Sequence, residues 1–195
     1  SIVKYIMSKE TIRMNKHEMS LKEQNIVFIG FMGVGKTTIG KLVAKKLYRD
    51  FVDVDDVIEE EFGMPPTEIF KTYGEKAFRD KEKEIVNNLC QKKLQIISLG
   101  GGAFLQEEIR KVCLENSIVF FLDLSWNQWK DRISLIIDSR PVLQGRTLEE
   151  IEELFYARQE IYTLHNSKVQ IDNQDEEEVA DYIVDSLKLA WDLYA

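Results

Sequence analysis

The segment Gly30-Phe31-Met32-Gly33-Val34-Gly35-Lys36-Thr37 separates two glycines by four residues and follows the second with a lysine and a hydroxyl. Glycines at this spacing let successive backbone N–H groups curl around a phosphate with no Cβ in the way. Lys36 would reach the β- and γ-phosphates of a nucleoside triphosphate, and the Thr37 hydroxyl would ligate Mg²⁺. Gly33, Val34, Gly35, Lys36, Thr37 and Thr38 are therefore the candidate triphosphate-binding residues. The flanks agree with this phosphate-binding P-loop. The apolar run Ile26-Val27-Phe28-Ile29 precedes it, and the residues after it put Ile39, Leu42, Val43 and Leu47 on one helical face, away from Lys41, Lys45 and Lys46.

Phe51-Val52-Asp53-Val54-Asp55 offers two carboxylates at the end of an expected strand, where alternation directs both to one side. One could hold the water shell of Mg²⁺, which keeps few protein ligands. The other could orient a substrate hydroxyl and accept its proton. Asp56 and Glu59 through Glu61 read as solvated surface. Ser98-Leu99-Gly100-Gly101-Gly102 clears three consecutive side chains, so a ligand can approach the backbone. In Gly74-Glu75-Lys76-Ala77-Phe78-Arg79-Asp80-Lys81-Glu82, Glu82 stands one helical turn from Arg79 and can orient its guanidinium. The fork is then free for a carboxylate, although surface pairs of this kind are common. Phe70 and Phe78 fit either a core or a pocket wall. Arg140-Pro141-Val142-Leu143 and Arg158 complete a basic set, and an arginine closing on a γ-phosphate stabilises transition-state charge. Arg146 is expected to stay in solvent.

The elements that position these groups alternate. Buried-strand patterns fall at 25–30, 51–54, 94–99, 117–124 and 168–171, and helical periodicity covers 37–48, 76–92, 105–115, 126–137, 148–164 and 176–194. Thr147-Leu148-Glu149-Glu150 is a capping box, and Val179, Ile183, Val184, Leu187 and Trp191 share one face of the last helix. Strands separated by helices imply a parallel sheet covered on both sides, with ligands beyond the carboxyl ends of its strands. Residues 138–147 join two helices with a proline, a glycine and two arginines, a composition suited to a lid.

The chain has 195 residues, enough for one domain with one core. A net charge of −8 disfavours a nucleic-acid partner, and no apolar run approaches the ~20 residues that span a bilayer. Cys90 and Cys113 lack metal spacing and read as buried reduced thiols; with only His17 and His165, no zinc or Ser-His-Asp constellation is available. Residues 1–24 show no sustained period and no secretory pattern, and are expected to form an extension outside the fold, frayed or partly vector-derived. A cytoplasmic monomer is the expectation.

Taken in order, the P-loop, Asp53-Val54-Asp55, the Gly74–Glu82 series, Gly100-Gly101-Gly102, Arg140-Pro141-Val142-Leu143 and the late Arg158 resemble the motifs of shikimate kinases over about residues 25–190. The resemblance implies an α/β P-loop kinase fold with a five-stranded parallel sheet in the order 2-3-1-4-5, flanked by helices, and a lid at about 133–147. It implies transfer of the ATP γ-phosphoryl group to the 3-hydroxyl of shikimate, in chorismate and aromatic amino-acid biosynthesis, with Mg²⁺ as cofactor. By motif, Asp55 would contact that hydroxyl as base or orienter, and Asp53 would bind Mg²⁺ through water. Arg79 and Arg158 would clamp the substrate carboxylate above Gly101 and Gly102, with Glu82 holding Arg79 and Phe70 and Phe78 shaping the pocket. Lys36 and Arg140 would stabilise transferring charge, Arg140 touching both ligands. Many members carry an adenine-contacting arginine seven residues before the Arg-Pro pair; here that position is Ile133, with Arg132 one step earlier. Two other readings stay open: another small-molecule kinase such as gluconate kinase, and a nucleotide-binding regulator without catalysis. The presence of Lys36, Thr37, Asp55 and Arg140 weighs against the second.

Overall fold

Apolar character decides which strands lie in the middle. The computed structural model describes residues 20–133, 137 and 140–193. Strand β1 (Asn25–Ile29) is buried at every residue and lies between β3 (Gln95–Ser98) and β4 (Ser117–Asp123). The more polar β2 (Asp50–Asp53) and β5 (Ser167–Gln170) take the edges, giving the order β2-β3-β1-β4-β5 with every pairing parallel. Ile26 pairs with Ile96 on one side and Ile118 on the other, and the Phe28 and Phe120 rings meet at 5.9 Å. Such a sheet must be covered on both faces. The order and the parallel sense are those expected.

The described helices are α1 (Lys36–Leu47), α2 (Val54–Phe62), α3 (Pro66–Tyr73), α4 (Glu75–Cys90), α5 (Glu107–Asn116), α6 (Trp126–Lys130), α7 (Leu148–Tyr162) and α8 (Glu176–Leu193). Thr147 and Glu150 form the expected reciprocal cap on α7. The predicted face of α8 is buried through Leu187, and Trp191 is half-buried beneath the Arg49 guanidinium, 5.0 Å from its ring. Asn25 ties three elements together at the amino edge of the sheet. Its side chain donates to the Leu89 and Lys92 carbonyls and accepts from the Gln95 amide. Cys90 and Cys113 are buried free thiols lying against each other.

Four differences from expectation have local causes. The second strand ends at Asp53, so Asp55 stands in the first turn of α2, not on the strand. Helices α2 and α3 were not foreseen: α2 is short and rich in acids, and α3 starts at Pro66, a position that needs no N–H. The helix expected over 126–137 is regular through Lys130; positions 134–136, like 138 and 139 of the expected lid, lie outside the described residues. Most of the expected extension, 1–19, also lies outside them. Its last residues do pack on the domain: Leu21 is buried, Glu23 O accepts from the Leu94 amide, and Arg49 donates to the Lys22 and Gln24 carbonyls.

Candidate active site

The P-loop turns out of β1 into α1. Gly33 and Gly35 have φ of 78° and 109°, a backbone that side chains oppose, and Gly35 caps α1. The free N–H groups of the first turn of α1 therefore face the loop's concave side. Phe31, Met32 and Val34 bury their side chains, so Val34 can offer a nucleotide only its backbone, while Thr38 lies exposed on the first turn of α1. The Lys36 ammonium donates to the Gly30 and Phe31 carbonyls at 2.6 and 2.9 Å. Burial and the like charge of Arg140 bring its pKa down to about 7, against the opposite pull of Asp55 and Asp53.

Two carboxylates stand beside that loop in different roles. Asp53 caps α2 by accepting from the Asp55 and Asp56 amides through Oδ1. Its Oδ2 accepts from the Thr37 hydroxyl at 2.6 Å. A hydroxyl and a carboxylate so close fit Mg²⁺, which retains most of its waters; among the described residues no cluster of three acidic, His or Cys ligands exists to hold a more demanding ion. Asp55 meets Arg140 Nη1 at 3.3 Å through Oδ2, while its Oδ1 is buried without a partner. Burial pushes the Asp55 carboxyl above the usual range, with Arg140 pulling the other way.

The glycine run makes room for three charged side chains. A Cβ at Gly100 would sit 2.6 Å from Asp55 Oδ1, and one at Gly102 would sit 2.5 Å from Arg79 Nη2 and 2.9 Å from Arg158 Nη1. Arg79 and Arg158 thus converge over Gly102. Arg79 Nη1 pairs with Glu82 at 2.9 Å, its Nε lies 3.6 Å from Glu75, and its guanidinium is 5.3 Å from the Phe78 ring. Arg158 is buried and reaches the Gly101 carbonyl, which also accepts from the Tyr162 hydroxyl. Phe70 and Phe78 meet edge to face at 5.2 Å and wall the same cleft. Arg140, Pro141 and Val142 cover it from the chain segment before α7, while Arg146 stays exposed.

One cleft thus joins a phosphate cradle, a carboxylate with one oxygen unpartnered, and two guanidiniums that converge on a glycine. A family model described as shikimate kinase matches residues 32–188. A shikimate kinase from Oceanobacillus iheyensis is 62% identical, over 89% of this chain and 95% of that protein. The chain belongs to the shikimate kinase family. A shikimate kinase from Bacillus subtilis is 59% identical over 92% of the chain and 97% of its own length. Among solved structures, the Acinetobacter baumannii shikimate kinase in complex with shikimate superimposes with a TM-score of 0.80 at 27% identity, covering 87% of this chain and 95% of that one. Family membership carries the activity with it: ATP-dependent phosphorylation of shikimate in aromatic biosynthesis.

Every site residue expected from this shikimate kinase sequence lies at the P-loop or in the adjoining cleft, Thr38 being the most exposed. Glu82, which spacing alone would leave as a surface partner of Arg79, is fully buried. Three supporting residues, Trp129, Tyr162 and Gln106, gave no sequence signal, and a fourth, Arg132, stood out only as the neighbour of an adenine-contacting position. Trp129 donates its indole N–H to Met32 O at 2.6 Å, Arg132 reaches the Gly33 and Val34 carbonyls, Tyr162 holds Gly101, and Gln106 contacts both Arg79 and Glu82. Each looks locally like an ordinary core or surface residue.

The close approach at Gly102 makes a direct prediction. Gly102→Ala meets only the far ends of two long side chains, so thermal stability should stay near that of the parent. Displacing both guanidiniums should nonetheless raise the KM for shikimate about 10-fold or more, the scale of a lost charge-assisted hydrogen bond, with the KM for ATP unchanged. Initial rates with each substrate varied in turn check this.

Proposed function

We propose that the chain transfers the γ-phosphoryl group of ATP to the 3-hydroxyl of shikimate through the residues of this cleft. The observation that carries the assignment of roles is the convergence of Arg79 and Arg158 over Gly102, beside Asp55 and within one cleft of the P-loop. Two guanidiniums grip a small carboxylate more firmly than one and orient its ring. Gly101 and Gly102 form the floor beneath the acid, while Phe70 and Phe78 bound its apolar face.

Asp55 faces the acceptor hydroxyl and takes its proton as the new O–P bond forms. Its raised pKa makes it a better proton acceptor than an exposed aspartate. Gly33 to Thr38 cradle the phosphates through backbone N–H groups, and Lys36 turns from the Gly30 and Phe31 carbonyls onto the β- and γ-oxygens. Thr37 and Asp53, the latter through water, would hold Mg²⁺, which when bound would supply charge neutralisation on the phosphates. Arg140 leaves Asp55 and spans nucleotide and acid, stabilising the charge on the transferring group. The enzyme acts as a cytoplasmic monomer on small molecules alone, with no nucleic-acid or membrane partner; among the described residues no helix is long and apolar enough to cross a membrane. Residues 25–195 form the catalytic domain, with the lid at about 133–147.

The test is ADP release in a coupled assay across shikimate, gluconate and nucleoside monophosphates. Turnover with shikimate alone is expected. Turnover with gluconate and none with shikimate would overturn the substrate assignment, and binding of ATP with no acceptor turned over would favour a regulator.

Lys36 supplies a second check. A lysine with a pKa of about 7 is partly neutral at pH 7 to 7.5, and phosphates restore its charge. Nucleotide binding should therefore take up a fraction of a proton in that range, and the uptake should fade below pH 6, where Lys36 is already charged. Calorimetry in two buffers of different ionisation enthalpy reads the uptake directly. An enthalpy independent of buffer would show that Lys36 is fully charged beforehand.

A further inference from the structure

Gln106 does not line the cleft, yet it is bound to the group that aims one of its arginines. It immediately precedes α5, and its Nε2 donates to the Arg79 carbonyl and to Glu82 Oε1, both at 3.0 Å. Glu82 in turn accepts from Arg79 Nη1 at 2.9 Å, which leaves Arg79 Nη2 facing Gly102. The carboxylate at the centre of this chain is fully buried, and its second oxygen has no partner. A buried charge with so few donors is held by each of them.

We propose that Gln106 is a positioning residue of this enzyme: its two hydrogen bonds hold Glu82 in place as the partner that fixes the substrate-facing guanidinium of Arg79. The inference rests on the reading of Arg79 as a clamp for the carboxylate of shikimate. Gln106 acts on α4 at two points, one on the backbone of Arg79 and one on Glu82, so it sets the register between α4 and the start of α5.

Among the described residues, the charged groups acting on Glu82 are Arg79 on its own helix and Asp55 from α2; Glu75 also lies beside Arg79. Burial pushes the Glu82 carboxyl up to about 7, Asp55 adds to that rise, and Arg79 and Gln106 oppose it. Removing the Gln106 donor takes away one of the opposing interactions. Glu82 then binds a proton at higher pH, and a protonated Glu82 holds Arg79 less firmly because the hydrogen bond between them loses its ionic component.

Gln106→Met removes both donated hydrogen bonds while keeping the length of the side chain. The KM for shikimate should rise about 5- to 20-fold near pH 7, with kcat and the KM for ATP within about two-fold. The defect should shrink as the pH is raised from about 7 to 9, because Glu82 regains its charge there. A rise independent of pH, a loss shared with kcat or the KM for ATP, or an unchanged KM would each overturn the proposal. Gln106→Ser, which shortens the side chain and leaves room for water, carries the same expectation should the methionine variant fail to fold. Arg79→Lys measured alongside separates the two levels of the argument. If it leaves the KM for shikimate unchanged, the clamp reading fails and the inference with it. If it raises that KM while the Gln106 variants do not, only the role of Gln106 falls.

Discussion

Asp55→Asn should lower kcat by about 10²- to 10⁴-fold while nucleotide affinity stays near that of the parent, the scale expected for loss of a general base. Asn keeps the shape and the contact distance but cannot accept the proton released by the acceptor hydroxyl. The nucleotide is bound by backbone groups and Lys36, none of which this substitution removes. The pH dependence has a definite sign. Burial raises the carboxyl above its usual range, so kcat of the parent should fall as pH drops through that raised value, and the asparagine variant should lose this acid limb. Stability runs the other way. A carboxylate whose folded pKa lies above its unfolded value binds protons more tightly in the native state, so its ionisation weakens the fold as pH rises through that window. Asp55→Asn should therefore melt no lower than the parent at neutral pH. Parental turnover in the variant would remove Asp55 from the mechanism.

Arg140→Ala should cost about 10²- to 10³-fold in kcat, the order associated with removal of a charge stabiliser from a transferring phosphoryl group. Its guanidinium lies 3.3 Å from Asp55, and its Nε is buried with no partner. The same residue depresses the Lys36 pKa and restrains the rise at Asp55. Its removal should then reach beyond rate: Lys36 becomes more basic, so proton uptake on nucleotide binding shrinks, and the acid limb of the rate profile moves to higher pH. Rapid-quench turnover with titration calorimetry reads both. A variant with lowered kcat but unaltered proton uptake would separate Arg140 from Lys36 and confine it to transition-state charge.

The positions of the strands and the P-loop were legible because each rests on a local pattern, whereas the order of the strands came only with the family resemblance. Apolar runs mark β1, β3 and β4, and G-x4-G-K-T fixes its own backbone geometry. The carboxylates were legible by position, although Asp55 reaches the cleft from the first turn of α2 and not from a strand. Phe70 and Phe78 were ambiguous between core and pocket, and they serve as both: Phe78 is buried and still walls the cleft. What the pattern could not carry was the burial of Glu82. A glutamate one turn from an arginine has the same spacing on a surface as inside a domain, and only the arrival of Gln106 from a distant element distinguishes them. Trp129 and Tyr162 were hidden for a related reason, as was the reach of Arg132 to the P-loop, since the sequence placed that arginine only beside an adenine-contacting position. Each makes its decisive contact with a backbone carbonyl, and a carbonyl has no side-chain identity to read.

The indole of Trp129 gives this enzyme an optical label of its own. It stacks on Trp126 at 5.4 Å, meets the Phe31 ring edge-on, and is hydrogen-bonded to the loop that receives the nucleotide. The remaining tryptophan, Trp191, belongs to the groove beside Tyr48 and Lys93, beyond the amino ends of the strands. Emission from the first pair should therefore respond to events at the triphosphate loop, with the third chromophore as an internal reference.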